Sequence, residues 1–252
     1  MAKVIAPFKI VGTLDDLNFY LDENKTNLVR TKGKTGVSKE EFKRNPIFTK
    51  VKNHGKEFGR AVKIAQKFRA LAHYFNNRAK DGSFAGRANK LILEIIQEDI
   101  ENPHGLRTFE NGIQIEHVKN YFVGFEGNKL RPLKKIIKTN WTWEEEESIL
   151  KINNLNLLED IDWPEKADNV HFAIARANWN YLENKFETHY SQEIALNKEN
   201  EKEIQSILLN VEKPVDQHFE LLFLFIGFSI QERKRTKELK RANNTISIIW
   251  SK

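Results

Sequence analysis

Apolar and polar residues alternate from the start of the chain. Phe8 to Leu14 (FKIVGTL), Leu17 to Asp22 (LNFYLD) and, after the turn-forming ENKT, Asn27 to Lys32 (NLVRTK) repeat with the period of two that strands impose. They predict a small β hairpin or meander. Lys32 to Val37 (KGKTGV) then reads as a basic loop with two glycines, and Ser38 followed by Glu41 predicts a capping box and a short helix. Asn45-Pro46 places a capping residue before a proline at the first helical position, which predicts a long helix to about Asn77. On that helix Phe58, Ala61, Val62, Ala65, Phe68, Ala72 and Phe75 recur at steps of three and four as an apolar face. Lys52, Lys56, Arg60, Lys63 and Lys67 form a basic stripe on the other side.

The turn DGS at Asp81 to Ser83 introduces a second amphipathic helix, with Phe84, Ala88, Leu91, Ile92, Ile95 and Ile96 on one face and a stop at Asn102-Pro103. The two helices are expected to pack as a hairpin, with a weaker third helix between Arg107 and Phe122. Beyond Lys129 the period changes. Seven short extended runs follow: KKIIKT, SILKINNLNL, HFAIARANWN, FETHYSQEIAL, EIQSILLNV, FELLFLFIGFSI and NTISIIW. With turns between them they predict an antiparallel, immunoglobulin-like β-sandwich. The fold class is therefore α+β, a basic N-terminal module over residues 1–126 and a C-terminal sandwich over 127–252. The most apolar run, Leu221 to Ile230, is about half the length of a membrane-spanning helix and reads as a buried strand, so no membrane span is expected.

Composition adds a polarity to this layout. Of 252 residues 40% are hydrophobic, enough for a substantial core, and the net charge of +6 hides a division at Lys138. Residues 1–138 carry 27 Lys and Arg against 15 Asp and Glu, whereas the remainder carries 14 against 20. Between Lys25 and Lys90, 18 basic residues face 4 acidic ones. Such a chain can attract an anionic partner, or the acidic half of its own neighbour, or simply keep two solvated surfaces. With no cysteine there are no disulfides, thiolate metal sites or cysteine nucleophiles. The opening MAKVIAPFKIVGTLDD lacks the pattern of a Sec signal peptide, so the expected location is cytoplasmic, or external by another route.

Several blocks resemble a family of uncharacterised proteins common in Bacteroidota. They are GTLDDLNFY at Gly12 to Tyr20, LVRTK at Leu28 to Lys32, PIFTKVKNHGKEFGRA at Pro46 to Ala61, and the closing FLFIGFSIQERKRTKELKRANNTISII. The family pattern opens G-T-I-G-x-L-x-F-Y, continues through L-V-R, and reaches F-x-R-T-R-E-N-x-x-E-F-G. Here Lys50 and Lys52 stand where that pattern has arginines, His54 stands near its asparagine, and FSIQERKR replaces F-x-Q-E-x-N-G. The resemblance implies a bacterial origin and this organisation of the chain. It implies no catalytic residue and no cofactor.

Searching the residues for chemistry leaves little of it. His54, His73, His104, His117, His171, His189 and His218 form no HxxxH or HExxH pair, and there is no P-loop, GxGxxG or GxSxG. No enzyme, metal site, cofactor or small-molecule substrate is expected. Glu144 to Glu147, after Trp141 and Trp143, reads as a solvated edge that deters strand aggregation, or as a docking point for a neighbour's basic half. His171 and His189 fit an acid/base pair on adjacent strands, or the surface of a half-packed sheet. Trp141, Trp143, Trp163 and Trp179 allow a carbohydrate platform or core packing.

The leading expectation is a non-enzymatic structural protein that self-assembles into a filament, ring or other homo-oligomer. A two- or three-stranded hairpin is not stable alone, so Phe8, Ile10, Leu17, Phe19, Leu28 and Val29 need something to cover them. The helices can do so, or a neighbouring copy can. The alternative is a nucleic-acid-binding or packaging protein that uses Lys52, Lys56, Arg60, Lys63 and Lys67. Its affinity would fall steeply with salt, by roughly several hundredfold for five or six phosphate contacts.

Overall fold

The N-terminal runs form strands β2 (Gly12–Leu14), β3 (Leu17–Leu21) and β4 (Asn27–Thr31), the first without its expected residues 8–11, and an unexpected strand β1 (Ala2–Lys3) joins them in a computed structural model that describes residues 2–33, 36–199, 204–215, 218–233 and 235–252. Lys34 and Thr35 of the expected basic loop, and Glu203 at the start of EIQSILLNV, lie outside the described residues. The four strands make an antiparallel sheet in the order β1-β4-β3-β2. Asn27 reinforces it, because its side chain both accepts from Ile10 N at 2.7 Å and donates to Ile10 O at 2.9 Å. Helix α1 (Lys39–Arg44) follows with the expected cap, Ser38 accepting from Glu41 N at 3.0 Å.

Asn45 also caps as expected, but first onto a single 3₁₀ turn at Pro46–Phe48. Helix α2 (Thr49–Phe68) then ends nine residues before Asn77, and α3 (His73–Ala79) begins after an irregular link. The apolar spacing runs straight through this break, since Leu71 and Ala72 are as buried as Phe68 and Phe75. Side chains replace the missing helical donors. Asn76 Nδ2 donates to Arg69 O at 3.0 Å, and the Thr188 hydroxyl donates to Leu71 O at 2.6 Å. Helix α4 (Phe84–Gln97) matches the second expected helix, and the weak third one is a single turn, α5 (Phe109–Gly112), followed by a 3₁₀ segment at Glu116–Phe122.

KKIIKT is not a strand. Leu133–Ile136 forms the one-turn helix α6 after Pro132, and Ile137 makes only an isolated bridge to Ile161. The later strands are β5 (Trp141–Glu144), β6 (Ile149–Leu155), β7 (Asn169–Asn180), β8 (Lys185–Tyr190), β9 (Ile194–Asn197), β10 (Gln205–Asn210), β11 (Phe219–Glu232), β12 (Arg235–Glu238) and β13 (Thr245–Ser251). FETHYSQEIAL therefore contains two strands, β8 and β9. All pairings are antiparallel, which places the protein in the α+β class.

Two strands organise the larger sheet. β7 and β11 pair along their length; the other edge of β11 carries β13 and β12, and the other edge of β7 carries β9 and β8. β11 is the buried strand expected from its composition, inaccessible from Phe219 to Ser229. Such a run has no polar face because both of its faces are covered. One row of its side chains, with Ala173, Ala175 and Trp179 of β7, packs against Ala61, Phe68, Phe75, Ile92 and Ile96 of the helices. The alternate row packs against Leu150, Ile152, Ile207 and Leu209 of a three-stranded sheet ordered β10-β6-β5.

This layering explains where the chain divides. Its two compact units are Met1–Thr49 and Lys50–Lys252, in place of a division between 126 and 127. The helices cover a face of the sheet and share its core, so they cannot be separated from it. The stretch expected to be a linker is tied down instead, with Gly124 N and Gly127 N donating to Ile248 O and Ile246 O at 2.7 Å each. Among the described residues no helix is long and apolar enough to cross a membrane.

Candidate assembly surface

Cross-strand register sorts the N-terminal side chains by face. Leu14 lies opposite Leu17, and Phe19 lies between Gly12 and Val29, so these four apolar residues share one face of the sheet. Thr13, Asn18, Arg30, Tyr20 and Leu28 share the other, where the Arg30 guanidinium sits 5.5 Å from the Tyr20 ring centre. The sheet is amphipathic. Of the six residues expected to need cover, Leu17, Phe19 and Val29 are on the apolar face, Leu28 is on the polar one, and Phe8 and Ile10 lie in the irregular stretch between β1 and β2.

None of the six is buried. Leu14 is 65% exposed and Leu17 41%, and Ile5, Phe8 and Val11 are more open still than Leu17. Among the described residues of 2–49, Asn27 alone is buried. A groove beside the apolar face is lined by Ala2, Leu17 and Val29 with Arg30 and Thr31.

The basic stripe lies on α2 and is less uniform than its sequence. Lys56 and Lys63 are exposed, whereas Lys52, Arg60 and Lys67 are partly covered. Arg60 donates to Gly105 O at 2.7 Å and so serves the fold. The buried face of α2 is also rotated from the expected one: Phe58 is 44% exposed, Val62 is partly exposed, and Glu57 takes the inward position with Ala61, Ala65 and Phe68. Its carboxylate accepts two bonds from Arg107 at 2.8 Å and one from Gly105 N at 2.7 Å. Burial pushes the Glu57 pKa up, but the Arg107 and Gly105 hydrogen bonds outweigh it and hold the group ionised, below its ordinary value.

Three of the four glutamates of the acidic run pair with lysines within the chain. Glu144 pairs with Lys151 at 2.6 Å, Glu145 with Lys252, and Glu146 with Lys213 at 3.7 Å, around the β5–β6 turn. Glu146 nonetheless stays 91% exposed. Nor do the tryptophans form a shared platform. Trp179 is buried on the helix side of the sheet, Trp163 donates to Leu157 O at 2.6 Å, and Trp143 packs near Trp250 with the buried Arg176 beside both rings.

The structure does not bring His171 and His189 together. His189 is opposite Arg176 in the register, five residues along β7, and its ring nitrogens face Glu187 and Glu212 at 3.1 and 3.2 Å. His171 instead sits between Ser229 and Glu193: Nε2 lies 2.7 Å from Ser229 Oγ and Nδ1 lies 2.8 Å from Glu193 Oε1. No pattern in the sequence announced this trio, whose members come from β7, β11 and the loop before β9. Its connectivity is that of a Ser-His-acid relay. However, Ser229 is 1% exposed, so no substrate reaches its oxygen. Arg78 of α3 completes the cluster, bonding Glu193 at 2.7 Å and Glu238 at 2.9 Å while lying 4.3 Å from the Phe225 ring centre. The His171 bond first and the Arg78 bond next, against burial, hold the Glu193 carboxyl at about 2. The network clamps α3 and the loop before β9 to strands β7, β11 and β12.

The chain matches no known protein family, curated protein or solved structure in comparisons with each. Functional assignment therefore rests on these surfaces. Among the described residues no group of three or more His, Asp or Glu side chains is arranged to hold a metal ion.

Proposed function

We propose that this is a non-enzymatic structural protein that self-assembles through the apolar face of its N-terminal sheet. The observation that carries this reading is a folded unit of 49 residues whose described part buries no apolar side chain. A four-stranded sheet needs an apolar face covered to persist in water, and Leu14, Leu17, Phe19 and Val29 supply one that is at least partly open. Residues 50–252 supply a separate body with its own core, its two facing sheets comparable in build to an immunoglobulin-like sandwich. The resemblance to an uncharacterised Bacteroidota family is consistent with this division of labour and adds no activity to it.

Size-exclusion chromatography with light scattering tests the proposal across a concentration and salt series. Oligomers are expected that Leu17→Asp reduces to monomers, because an aspartate on the shared face has no partner there. A strict monomer at high concentration in both low and high salt sinks the idea.

A second reading is favoured by one specific feature. Phe58, expected in the core, is exposed on the same helix as the exposed Lys56 and Lys63, and single-stranded nucleic acid uses accessible rings together with cations. Oligonucleotide retardation at low salt that is weakened by Lys56→Glu, Lys63→Glu and Phe58→Ala supports it. Absence of a shift at low salt removes it.

A further inference from the structure

A cleft of 430 Å³ lies where the α2–α3 link, the end of α3 and the start of α4 meet a 3₁₀ turn at Arg241–Asn243. That volume is in the range of small-molecule sites. Three cations line it from three separate elements: Arg69 from the link, Lys80 from just after α3, and Arg241 from the turn. Among the described residues none of the three is ion-paired. Arg69 gives one N–H to Asn89 Oδ1 at 3.0 Å and Lys80 gives one to Asn77 Oδ1 at 2.9 Å, both neutral amides. A guanidinium has five N–H donors and an ammonium three, so each keeps donors to spare. Arg241 is exposed. The single carboxylate in the lining, Asp81, is already committed: Arg87 Nη1 meets its two oxygens at 2.9 and 2.8 Å, and Lys129 N and Ser83 bond them as well. Glu238, three residues before Arg241, is held by Arg78. The cleft is left with a surplus of positive charge.

We propose that this cleft binds a small phosphorylated molecule, with the phosphate held by Arg69, Lys80 and Arg241. Phosphate oxygens point in three directions at once, which cations arriving from three elements can meet, and the arginine fork pairs with two of them together. A carboxylate offers only two oxygens in one plane. The site is separate from the assembly surface, because every residue in it belongs to the Lys50–Lys252 unit. Nor does it include Lys56, Phe58 or Lys63, none of which lines it.

Calorimetric titration of the full chain at low salt tests the assignment, with pyrophosphate as the probe and citrate as a carboxylate of comparable charge. Saturable one-to-one binding of pyrophosphate is expected, with citrate weaker by about fivefold or more. Arg241→Gln and Lys80→Gln, both changes at the surface, are each expected to weaken pyrophosphate by about threefold. Lys185→Gln removes an equal charge outside the lining, from an exposed lysine paired with Glu183, and is expected to leave the affinity unchanged. Leu17→Asp, which acts on assembly, leaves it unchanged too, so loss of the assembly reading and loss of this one are separate results. The proposal is overturned if pyrophosphate does not saturate at millimolar concentration or if citrate binds as tightly. It is also overturned if both cleft variants bind like the parent, or if Lys185→Gln weakens binding as much as they do.

Discussion

Glu57 shows how a single residue reorganises an element. A carboxylate takes an inward position of α2 because Arg107 meets it with two parallel hydrogen bonds and Gly105 adds a third. Arg107→Ala leaves that buried carboxylate with only the Gly105 N–H and the His104 ring 3.7 Å away, and the expected cost is about 3 kcal/mol, read from the urea midpoint. Arg107→Lys is expected to keep only part of that stability, since Lys lacks the bidentate fork.

Two other carboxylates make stability depend on pH in opposite directions. Burial raises Glu126 to about 7 from 4.5, despite the bond it accepts from Leu133 N at 3.1 Å. Between those values the folded chain keeps a proton that the unfolded chain has released, so stability falls as pH rises through the window. The drop attributable to this group is roughly 1–2 kcal/mol after allowance for its partial exposure, and Glu126→Gln is expected to flatten it. Glu193, held at about 2, adds stability that is complete above its ordinary value of 4.5 and is lost as pH falls towards 2. Thermal melts from pH 3 to 8 on the parent, Glu126→Gln and Glu193→Gln separate the two limbs.

At the scale of elements, the loop at His104–Arg107 is bound to α2 through backbone atoms. Gly105 has φ +98°, and a Cβ there would stand 2.5 Å from the Asn53 side chain, whose Nδ2 donates to His104 O. Gly105→Ala is expected to cost about 1–3 kcal/mol, through left-handed backbone strain and displacement of Asn53. Chemical denaturation measures it; a change within a few tenths of a kcal/mol would contradict the geometry. The link between α2 and α3 is held in a comparable way, by side-chain bonds from Asn76 and Thr188 to carbonyls that the helix abandons. Those partners are 7 and 117 residues away, so the local pattern from Phe68 to Phe75 reads as one unbroken helix.

At the scale of the molecule, the two units differ in how their apolar surface is spent. Residues 50–252 cover both faces of a long central strand pair, while the apolar face of the N-terminal sheet stays open. Amide exchange in β3 and β4 is therefore expected to slow as protein concentration rises, and exchange in β7 and β11 to stay the same. Equal concentration dependence in both units would argue against assembly through the N-terminal sheet.

Much of this was legible from residue order alone. Period-two runs marked the N-terminal strands, Ser38 and Asn45 marked helix starts, and the unbroken apolar run at 221–230 marked the central strand, because each is a local property of neighbouring residues. The six residues assigned to the N-terminal contact were recognised as apolar but not sorted by face, since facing depends on strand register. The Ser229-His171-Glu193 trio and the convergence of Arg69, Lys80 and Arg241 on one cleft had no signal at all. Tertiary structure decided those, together with the inward turn of Glu57, the exposure of Phe58 and the division at Thr49. Each depends on which distant groups arrive beside a residue, and a carboxylate or a guanidinium has a fate set by its partners rather than by its own chemistry.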